Sequence, residues 1–466
     1  MKFYNIFLSG LATVGCAIAY STPLRNIIYF DQYHRTILPG KNVTAGITHV
    51  IMAFANSSLF VPETAGTYEP FMPLSDVRAL FDSGTQVGIA LGGWADTAGF
   101  SAGAKTETSR KAFAENLAKM IEDLGFDFVD IDWEYPGGNG ADYKQIPNAN
   151  KTGEITTFPL LLHAIKHAIA PKLLTIAAPA MERDFIAYTP TQAPKIWSAV
   201  DFVNVMTYDM MYRRDNATLH HTSVKGSLEA VQRYLNLGLP ASKINLGFAY
   251  YAKYFQTPAN VTCTHPIGCP IVKAELDDGT DAGTSGTVTF ERANLFPPGP
   301  PTNLTTSTDD TCGLNTAFTC SGLADKGCCS QYGFCGTTAA HCGIGCQRDY
   351  GTCKGPDVSA SFLKALKQGV TDEEEGGQWF WDSEALVFWT WDTVELMQRK
   401  IAEIVTPLGL GGVFAWSLGE DSADWSHIQA ISAAVKGLTT RTAAVEDVAP
   451  KILHGRVMRP HGSRYH

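Results

Sequence analysis

The chain has 466 residues, of which 45% are hydrophobic and 18% are charged. This composition is that of a globular protein with a large core and excludes a mainly disordered chain. The net charge of −10 argues against a nucleic-acid or anionic-membrane partner, because basic patches bind such partners, and a neutral substrate fits better.

The N-terminus has the features of a secretory signal peptide, which we predict over residues 1–19. Lys2 precedes an apolar run at 6–17, and small residues follow at 17–19. The alternative is an N-terminal anchor, but the run is short for a membrane-spanning helix. Six glycosylation sequons agree with export, and their asparagines are Asn42, Asn56, Asn150, Asn216, Asn260 and Asn303. We therefore expect a secreted, extracellular glycoprotein that has no membrane partner.

Short apolar segments alternate with amphipathic segments from residue 25 onward. We predict β-strands at 26–30, 49–55, 86–91, 126–132, 173–178, 202–206, 244–248 and 412–416. Residues 110–124 are typical of the helices between them. This alternation predicts an α/β fold, a (β/α)8 TIM barrel of parallel strands joined by crossover helices. A doubly wound open sheet is the alternative.

A long gap separates the seventh predicted strand from the eighth, and it indicates an insertion. Within the gap, residues 297–308 form a Pro/Thr-rich linker and the next segment is rich in Cys and Gly. The barrel resumes at Asp392, the predicted N-cap of a capping box. The predicted divisions are a signal peptide at 1–19, a barrel at 22–256 and 392–440, an insertion at 257–391, a cysteine-rich module at 311–354 and a C-terminal tail at 441–466.

The fourth predicted strand ends in a cluster of acids, since residues 127–134 read Asp-Phe-Val-Asp-Ile-Asp-Trp-Glu. Side chains alternate along a strand, so Asp130, Asp132 and Glu134 share one face, while Asp127 has the opposite parity and an expected structural role. Burial and mutual repulsion would keep a proton on the three acids at neutral pH. Glu134 lies at the C-terminal end of the strand, where barrel enzymes hold their catalytic groups. A solvated acidic strand and a calcium site are the alternatives.

The spacing of these acids, D-x-x-D-x-D-x-E, resembles the signature of glycoside hydrolase family 18, the chitinase family, and in particular its fungal class V type. Residues 90–94 are similar to the family's third strand, although Ala90 stands where Ser is usual. Residues 206–209, Met-Thr-Tyr-Asp, match the sixth-strand motif, and 412–416 look like the eighth strand. The resemblance implies that the insertion is an α+β unit that deepens the cleft.

The same resemblance implies hydrolysis of β-1,4-N-acetylglucosamine linkages with retention, by a mechanism in which the substrate's acetamido group is the nucleophile. Glu134 would protonate the glycosidic oxygen and then activate water, while Asp132 would orient the acetamido group. Asp130 would hold the proton network of Asp132, and Tyr208 would hydrogen-bond the acetamido oxygen. The implied substrate-binding residues are Trp94, Met206, Asp209, Trp416, Tyr29 and Phe54.

Ten of the 11 cysteines follow the predicted signal peptide. Cys263 and Cys269 flank a short loop and are predicted to pair. The other eight lie within 312–353, and a unit of this size needs cross-links to fold. Eight cysteines permit on the order of 100 pairings, among which the sequence alone does not choose. Zinc binding is the alternative, but a secreted chain favours disulfides.

The centre of this cluster, residues 328–336, reads Cys-Cys-Ser-Gln-Tyr-Gly-Phe-Cys-Gly and resembles a hevein-type chitin-binding domain. The resemblance implies a sugar-binding face of Ser330, Tyr332 and Phe334. His341 stands where Tyr is frequent, which would weaken binding or make it pH-dependent. The implied disulfides join Cys312 with Cys329, Cys320 with Cys335, Cys328 with Cys342, and Cys346 with Cys353.

The two resemblances imply the same polymer. We expect a secreted chitinase that acts as a monomer on chitin or chitooligosaccharides and requires neither a cofactor nor a metal. One alternative is a non-catalytic chitin lectin, although such relatives typically lose the acid at the position of Glu134. The other is an endo-β-N-acetylglucosaminidase that acts on N-glycans through the same acid motif.

Overall fold

The computed structural model describes residues 23–298, 302–313 and 316–448, with the backbone alone for 439–448. The predicted signal peptide at 1–19 and the predicted tail beyond 448 lie outside the described residues, as do 299–301 of the predicted linker. None of the described helices is both long and apolar enough to cross a membrane.

The described residues form 17 β-strands, and eight of these run parallel and close into a barrel. In chain order the strands are β1 (Arg25–Asp31), β2 (His49–Ala55), β3 (Gln86–Gly92), β4 (Phe128–Asp132), β5 (Leu173–Pro179), β6 (Phe202–Met206), β7 (Ile244–Ala249), β8 (Tyr251–Gln256), β9 (Ser285–Thr289), β10 (Thr305–Thr306), β11 (Phe318–Thr319), β12 (Cys328–Cys329), β13 (Cys335–Gly336), β14 (Val370–Asp372), β15 (Gly377–Asp382), β16 (Val387–Trp391) and β17 (Gly412–Trp416). The barrel order is β1-β17-β7-β6-β5-β4-β3-β2. This closure confirms the predicted TIM barrel and excludes the open sheet.

Helices cover the outside of the barrel and part of the insertion. They are α1 (Leu74–Ala79), α2 (Ala98–Ala104), α3 (Glu107–Leu124), α4 (Glu154–Ile169), α5 (Ala193–Ala199), α6 (Val224–Asn236), α7 (Arg292–Leu295), α8 (Ala339–Cys342), α9 (Val358–Gln368), α10 (Val394–Lys400), α11 (Thr406–Leu408) and α12 (Ser426–Val448). A π-helical turn, Ile401–Val405, joins α10 to α11. Short 3-10 helices lie at Ser57–Phe60, Asn148–Asn150, Glu182–Asp184, Ala241–Lys243, Arg348–Tyr350 and Leu418–Glu420. The last α-helix continues past residue 440, where we placed the end of the barrel.

Local signals explain the bounds of α3. Thr106 caps the helix, because its hydroxyl accepts a hydrogen bond from the Ser109 N–H at 3.0 Å. The helix ends at Gly125, whose φ of +79° favours glycine. Phe113 and Leu117 are buried on the face toward the barrel. α3 therefore begins three residues before the predicted segment 110–124.

The start of β4 depends on Asp127. Its Oδ2 accepts from the Val87 N–H at 2.7 Å and from Arg78 Nη1 at 2.8 Å. The carboxylate thus ties β3 to the turn that precedes β4, and the expected structural role of Asp127 is confirmed. Ordered strand pairing begins after it, at Phe128, rather than at the predicted residue 126.

The insertion is built on a five-stranded antiparallel sheet with the order β14-β15-β16-β8-β9. Tyr251–Gln256 pairs with β9 and β16, so these residues belong to the inserted sheet although we predicted the barrel to extend to 256. A single residue separates β7 from β8, and the chain passes directly from one sheet to the other. The cysteine-rich module lies between β9 and α9, and the insertion is α+β as the resemblance implied.

Four disulfides hold the module together. They join Cys312 with Cys329, Cys320 with Cys335, Cys328 with Cys342, and Cys346 with Cys353, which are the pairs that the resemblance implies. A fifth bond joins Cys263 with Cys269 outside the module, as predicted from their short loop. The module has its own small hydrophobic cluster, in which cysteines pack around Tyr350.

The N-cap of α10 is Thr393 and not Asp392, which corrects our prediction. The Thr393 hydroxyl accepts from the Leu396 N–H at 3.3 Å. Asp392 is instead buried, and its Oδ2 lies 2.6 Å from Lys400 Nζ. A buried ammonium requires a charged partner, so Asp392 pairs with Lys400 while its neighbour caps the helix.

Candidate active site

The three acids of β4 form a row that runs from the barrel interior to its C-terminal mouth. Asp130 is fully buried, Asp132 is 4% exposed, and Glu134, just beyond the strand, is partly exposed. The alternation of the strand places Asp130 and Asp132 on one side, and Glu134 lies close enough for its charge to act on Asp132. The row therefore connects a dry interior to an open pocket.

Asp130 is anchored at the inner end by neutral donors. Its carboxylate accepts from the Tyr29 hydroxyl at 2.7 Å, the Thr175 hydroxyl at 2.5 Å and the Asn204 amide at 3.3 Å. Burial raises the pKa of Asp130 to about 6, and these three hydrogen bonds oppose the rise. Asn204 is itself held by the Asn245 amide at 2.8 Å.

Tyr29 requires a correction, because we predicted it as a substrate-binding residue. Its side chain is buried, and its hydroxyl is engaged by Asp130 and, at 3.1 Å, by the Asn204 amide. Tyr29 is 1% exposed and does not line the pocket at the mouth of the barrel, so its hydroxyl positions Asp130 from within the barrel.

Asp132 occupies the middle of the row with an unused hydrogen-bonding capacity. Its buried Oδ1 has no partner among the described residues. Burial, followed by the charges of Glu134 and Asp130, raises its pKa well above the usual range. A hydrogen-bond donor on a bound molecule would satisfy this oxygen.

Glu134 lines the pocket at the mouth of the barrel. The pocket is formed by Glu134, Tyr135, Ala180, Met181, Asp184, Met206, Tyr208 and Asp209. Burial raises the pKa of Glu134, and the charges of Asp209 and Asp184 raise it further, whereas the Tyr135 hydroxyl opposes them. A raised pKa keeps the carboxyl protonated near neutral pH, as a general acid requires.

The end of β6 supplies three of the predicted residues to this pocket. Met206 and Tyr208 line it, and Tyr208 is nearly buried. Asp209 lies at the rim with a half-exposed carboxylate, which accepts from the Tyr251 hydroxyl at 2.8 Å and Lys253 at 2.9 Å. Both partners come from β8, so the inserted sheet holds this side of the pocket.

Two aromatic side chains, Phe54 on β2 and Trp416 at the end of β17, pack together inside the barrel. Trp416 stacks on Phe54 with ring centroids 5.4 Å apart and planes at 19°. The indole N–H of Trp416 donates to Glu420 Oε1 at 3.2 Å, which fixes the orientation of the ring. Trp416 and Phe54 are both partly exposed, and such ring faces suit a pyranose.

Trp94 stands apart from this aromatic pair, just beyond the end of β3. It is partly exposed, and the Arg214 guanidinium lies over its ring at 5.4 Å. Arg214 also donates to the carbonyl oxygens of Asn139 and Gly140, at 2.9 and 3.0 Å, in the loop that follows Glu134. Trp94 therefore lies beside the pocket, and its ring is covered by the guanidinium of Arg214, which its two hydrogen bonds hold in place.

The predicted sugar-binding residues of the module fall into two groups. Tyr332 and Phe334 are 61% and 53% exposed. Ser330 is buried, and its hydroxyl accepts from the Phe334 N–H at 3.1 Å. His341 Nδ1 lies 2.7 Å from the Thr338 hydroxyl, on α8. The two rings thus form the accessible part of the face.

The sequence prediction missed several residues of the site, among them Tyr135, Ala180 and Met181 of the pocket lining. Thr175 and Asn204 surround Asp130, and each is a single polar residue in an otherwise apolar strand, a signal that could have been used. Asp184 lines the pocket from the loop after β5. No periodicity marks that loop, so its position depends on tertiary structure.

Asp184 is expected to help keep Glu134 protonated. Burial raises the pKa of Asp184 to about 6, opposed by Arg183 and by the Asn139 amide, so it is ionised at and above neutral pH. Asp184→Asn would remove one of the charges that raise the pKa of Glu134. We expect the alkaline limb of the kcat/KM profile to move to lower pH by about 0.5–1 unit.

Glu182→Gln is the matched control for that pH profile, since Glu182 belongs to the same 3-10 helix and is exposed. An alkaline limb at the same pH in Asp184→Asn and in the wild type would refute the role of Asp184.

One group of buried acids and a histidine has the composition of a metal site. His34 Nδ1 lies 3.0 Å from Asp31 and 3.4 Å from Glu420. The hydrogen bond and charge of Asp31, with the charge of Glu420, raise the pKa of His34 to about 9 despite its burial. These contacts tie His34, in the loop after β1, to Glu420, which accepts the indole N–H of Trp416.

Comparison with known families gives one match over most of the chain. Residues 25–421 match the family described as Glycosyl hydrolases family 18. The match includes all eight barrel strands and the insertion.

Among curated proteins, the chain is 29% identical to Chitinase 1 of Aphanocladium album over 266 residues, which cover 50% of this chain and 61% of that protein. It is 28% identical to Endochitinase 1 of Metarhizium robertsii over 309 residues, 56% of this chain and 69% of that protein. The chain thus spans less than two thirds of the length of the first relative and slightly more than two thirds of the length of the second.

Solved structures share the fold. A chitinase from Rhizomucor miehei superposes with a TM-score of 0.61 and 16% identity, over 88% of this chain and 99% of that one. A family 18 N-acetylglucosaminidase from Paenibacillus barengoltzii gives a TM-score of 0.59 and 20% identity, with the same coverage of 88% and 99%.

Proposed function

The chain belongs to the glycosyl hydrolases of family 18, and from this membership we propose that it is a chitinase that cleaves β-1,4-N-acetylglucosamine linkages with retention. The related proteins named as chitinases agree with this substrate. The observation that carries the proposal is the position of Glu134, a carboxyl with a raised pKa in an open pocket at the C-terminal mouth of the barrel.

The acid row suits a mechanism in which the substrate supplies the nucleophile. Glu134 protonates the glycosidic oxygen, and the acetamido oxygen attacks the anomeric carbon from the opposite side. Asp132 holds the acetamido N–H through its unpaired buried oxygen. Water, activated by Glu134, then opens the cyclic intermediate. The two displacements each invert the anomeric centre, and the result is retention.

The remaining residues position the sugar. Asp130 is fixed by three hydrogen-bond donors, and its charge helps to raise the pKa of Asp132. The Tyr208 hydroxyl hydrogen-bonds the acetamido oxygen as it attacks. Trp416 and Phe54 support the sugar from below, with Trp94, Met206 and Asp209 at its sides.

We propose that the protein is secreted and acts as a monomer on chitin or chitooligosaccharides, with residues 311–354 as its chitin-binding module. The signal-like sequence and the five disulfides favour an oxidising compartment. All six sequon asparagines are exposed, as glycosylation requires.

An assay on two substrates tests the proposal. We expect the protein to release soluble oligosaccharides from colloidal chitin and to leave the glycans of a high-mannose glycoprotein attached. Adsorption to chitin without release would identify a lectin. Release from the glycoprotein alone would identify an endo-β-N-acetylglucosaminidase and exclude a chitinase.

A further inference from the structure

The cysteine-rich module is packed directly against the inserted sheet and is not connected to it by a linker alone. The Ile344 N–H donates to the Gly283 carbonyl oxygen at 2.9 Å. Ile344 is buried and belongs to the same hydrophobic cluster as the barrel. A Cβ added to Gly283 would lie 2.0 Å from the Ala339 carbonyl oxygen, so the two backbones are in direct contact.

A second contact lies next to the exposed rings of the module. Gln331 Oε1 accepts from the Tyr254 hydroxyl at 3.1 Å, and its Nε2 donates to the Ser285 carbonyl oxygen at 3.3 Å. Because Gln331 precedes Tyr332 in the chain, this contact fixes the module's aromatic face with respect to β8 and β9.

Polar side chains continue from that face toward the barrel. The Tyr332 hydroxyl lies 3.4 Å from Asp281 Oδ2. Asp281 is 4.0 Å from Arg213 Nη1, and Arg213 Nε is 3.8 Å from Glu275 Oε2. These contacts form a row of polar side chains that extends from the module to the loop after β6.

The same row reaches the catalytic pocket through Arg214. Its Nε lies 3.5 Å from Glu275, whose other oxygen accepts from the Tyr143 hydroxyl. The Arg214 guanidinium lies 3.7 Å from the Tyr143 ring centroid and 5.4 Å from that of Trp94. We call Tyr143, Arg213, Arg214, Glu275 and Asp281 the polar bridge.

We propose that the module and the catalytic cleft form one continuous binding surface, on which a single chitin chain extends from Tyr332 and Phe334 across the polar bridge to Trp94 and Glu134. The inference rests on the proposed chitinase function and adds a subsite to it. The two positive and two negative side chains of the bridge pair with one another, so this surface has no net charge, and Tyr143 and Arg213 are among its partly exposed members and lie within reach of sugar hydroxyls. Tyr332 and Phe334 remain open although the module is docked. A fixed second site raises affinity for a chain long enough to reach both.

Hydrolysis of soluble substrates of two lengths tests this inference. We compare kcat/KM for chito-octaose with kcat/KM for chitotriose, in the full chain. In the double variant Tyr332→Ala, Phe334→Ala we expect the ratio of the two to fall about tenfold. Phe296→Ala is the matched control, because Phe296 is an exposed aromatic of the insertion that lies outside the bridge, and its ratio should equal that of the wild type.

A second variant distinguishes a module that shares one binding surface with the cleft from a module that only anchors the enzyme to chitin. Gly283→Val would push the module away from the sheet while leaving its rings intact. We expect adsorption to insoluble chitin to persist and the octaose-to-triose ratio to fall as in the double variant. An unaltered ratio in the double variant overturns the inference and leaves the chitinase proposal intact. Absence of hydrolysis of both oligosaccharides by the wild type overturns the chitinase proposal itself.

Discussion

Glu134→Gln is expected to lower kcat on chitooligosaccharides by about 10²–10⁴-fold, the contribution typical of a general acid. Glutamine has the shape of the protonated acid but cannot donate a proton to the glycosidic oxygen. Because the pKa of Glu134 is raised by burial, the native side chain is neutral near pH 7 and the neutral amide replaces it without new repulsion. Adsorption to chitin should therefore persist.

The raised pKa of Glu134 also predicts how Glu134→Gln changes the stability of the fold. A carboxyl whose pKa is higher in the folded than in the unfolded state destabilises the fold once the pH exceeds the unfolded value. Removing that carboxyl should leave Tm at pH 8 equal to the wild-type value or above it. Glu122→Gln, an exposed site on α3, is the control for both measurements. More than about a tenth of the wild-type kcat in Glu134→Gln would mean that another group supplies the proton.

Lys400→Met is expected to lower the free energy of unfolding by about 3–5 kcal/mol, which is the cost of leaving a buried charge without its partner. Lys400 Nζ lies 2.6 Å from Asp392 and 2.5 Å from the Thr222 hydroxyl, and both charged side chains are 0% exposed. The pair joins the segment that returns from the insertion to the loop before α6. Methionine retains the aliphatic stem of Lys400 but leaves Asp392 buried and uncompensated.

The adjacent residue provides a matched control for this loss. Arg399 forms exposed ion pairs with Glu403 at 2.6 Å and Glu373 at 3.3 Å, so Arg399→Met should cost at most about 1 kcal/mol. Adding Asp392→Leu to Lys400→Met should recover much of the loss, since no charge then remains buried. Urea denaturation measures all three variants. Equal midpoints for Lys400→Met and Arg399→Met would show that the buried pair does not determine stability.

The barrel was predictable because its signals are local. Each strand is a short apolar run, and the helices between them have their own periodicity and caps, as in α3 with Thr106 and Gly125. The acid row was also predictable, because a strand repeats every two residues, which puts Asp130 and Asp132 on one face and directs the chain that follows, with Glu134, to the mouth of the barrel. The family resemblances added the disulfide pairs, which counting alone leaves open.

What the sequence did not reveal are contacts between side chains far apart in the chain. Tyr29, Thr175 and Asn204 surround Asp130 only because β1, β5 and β6 take particular registers in the closed barrel. Asp392 is a good capping residue locally, yet burial near Lys400 gave it a different partner.

The sequence by itself therefore determined the strands, the side of the strand on which the acids lie, and the residue that ends the row. Only the tertiary structure decided that Tyr29 positions Asp130 from within the barrel, that Asp184 lies beside Glu134, and that the module is packed against the inserted sheet. The physical reason is that backbone geometry sets a local period, whereas barrel closure and loop packing set which distant groups meet.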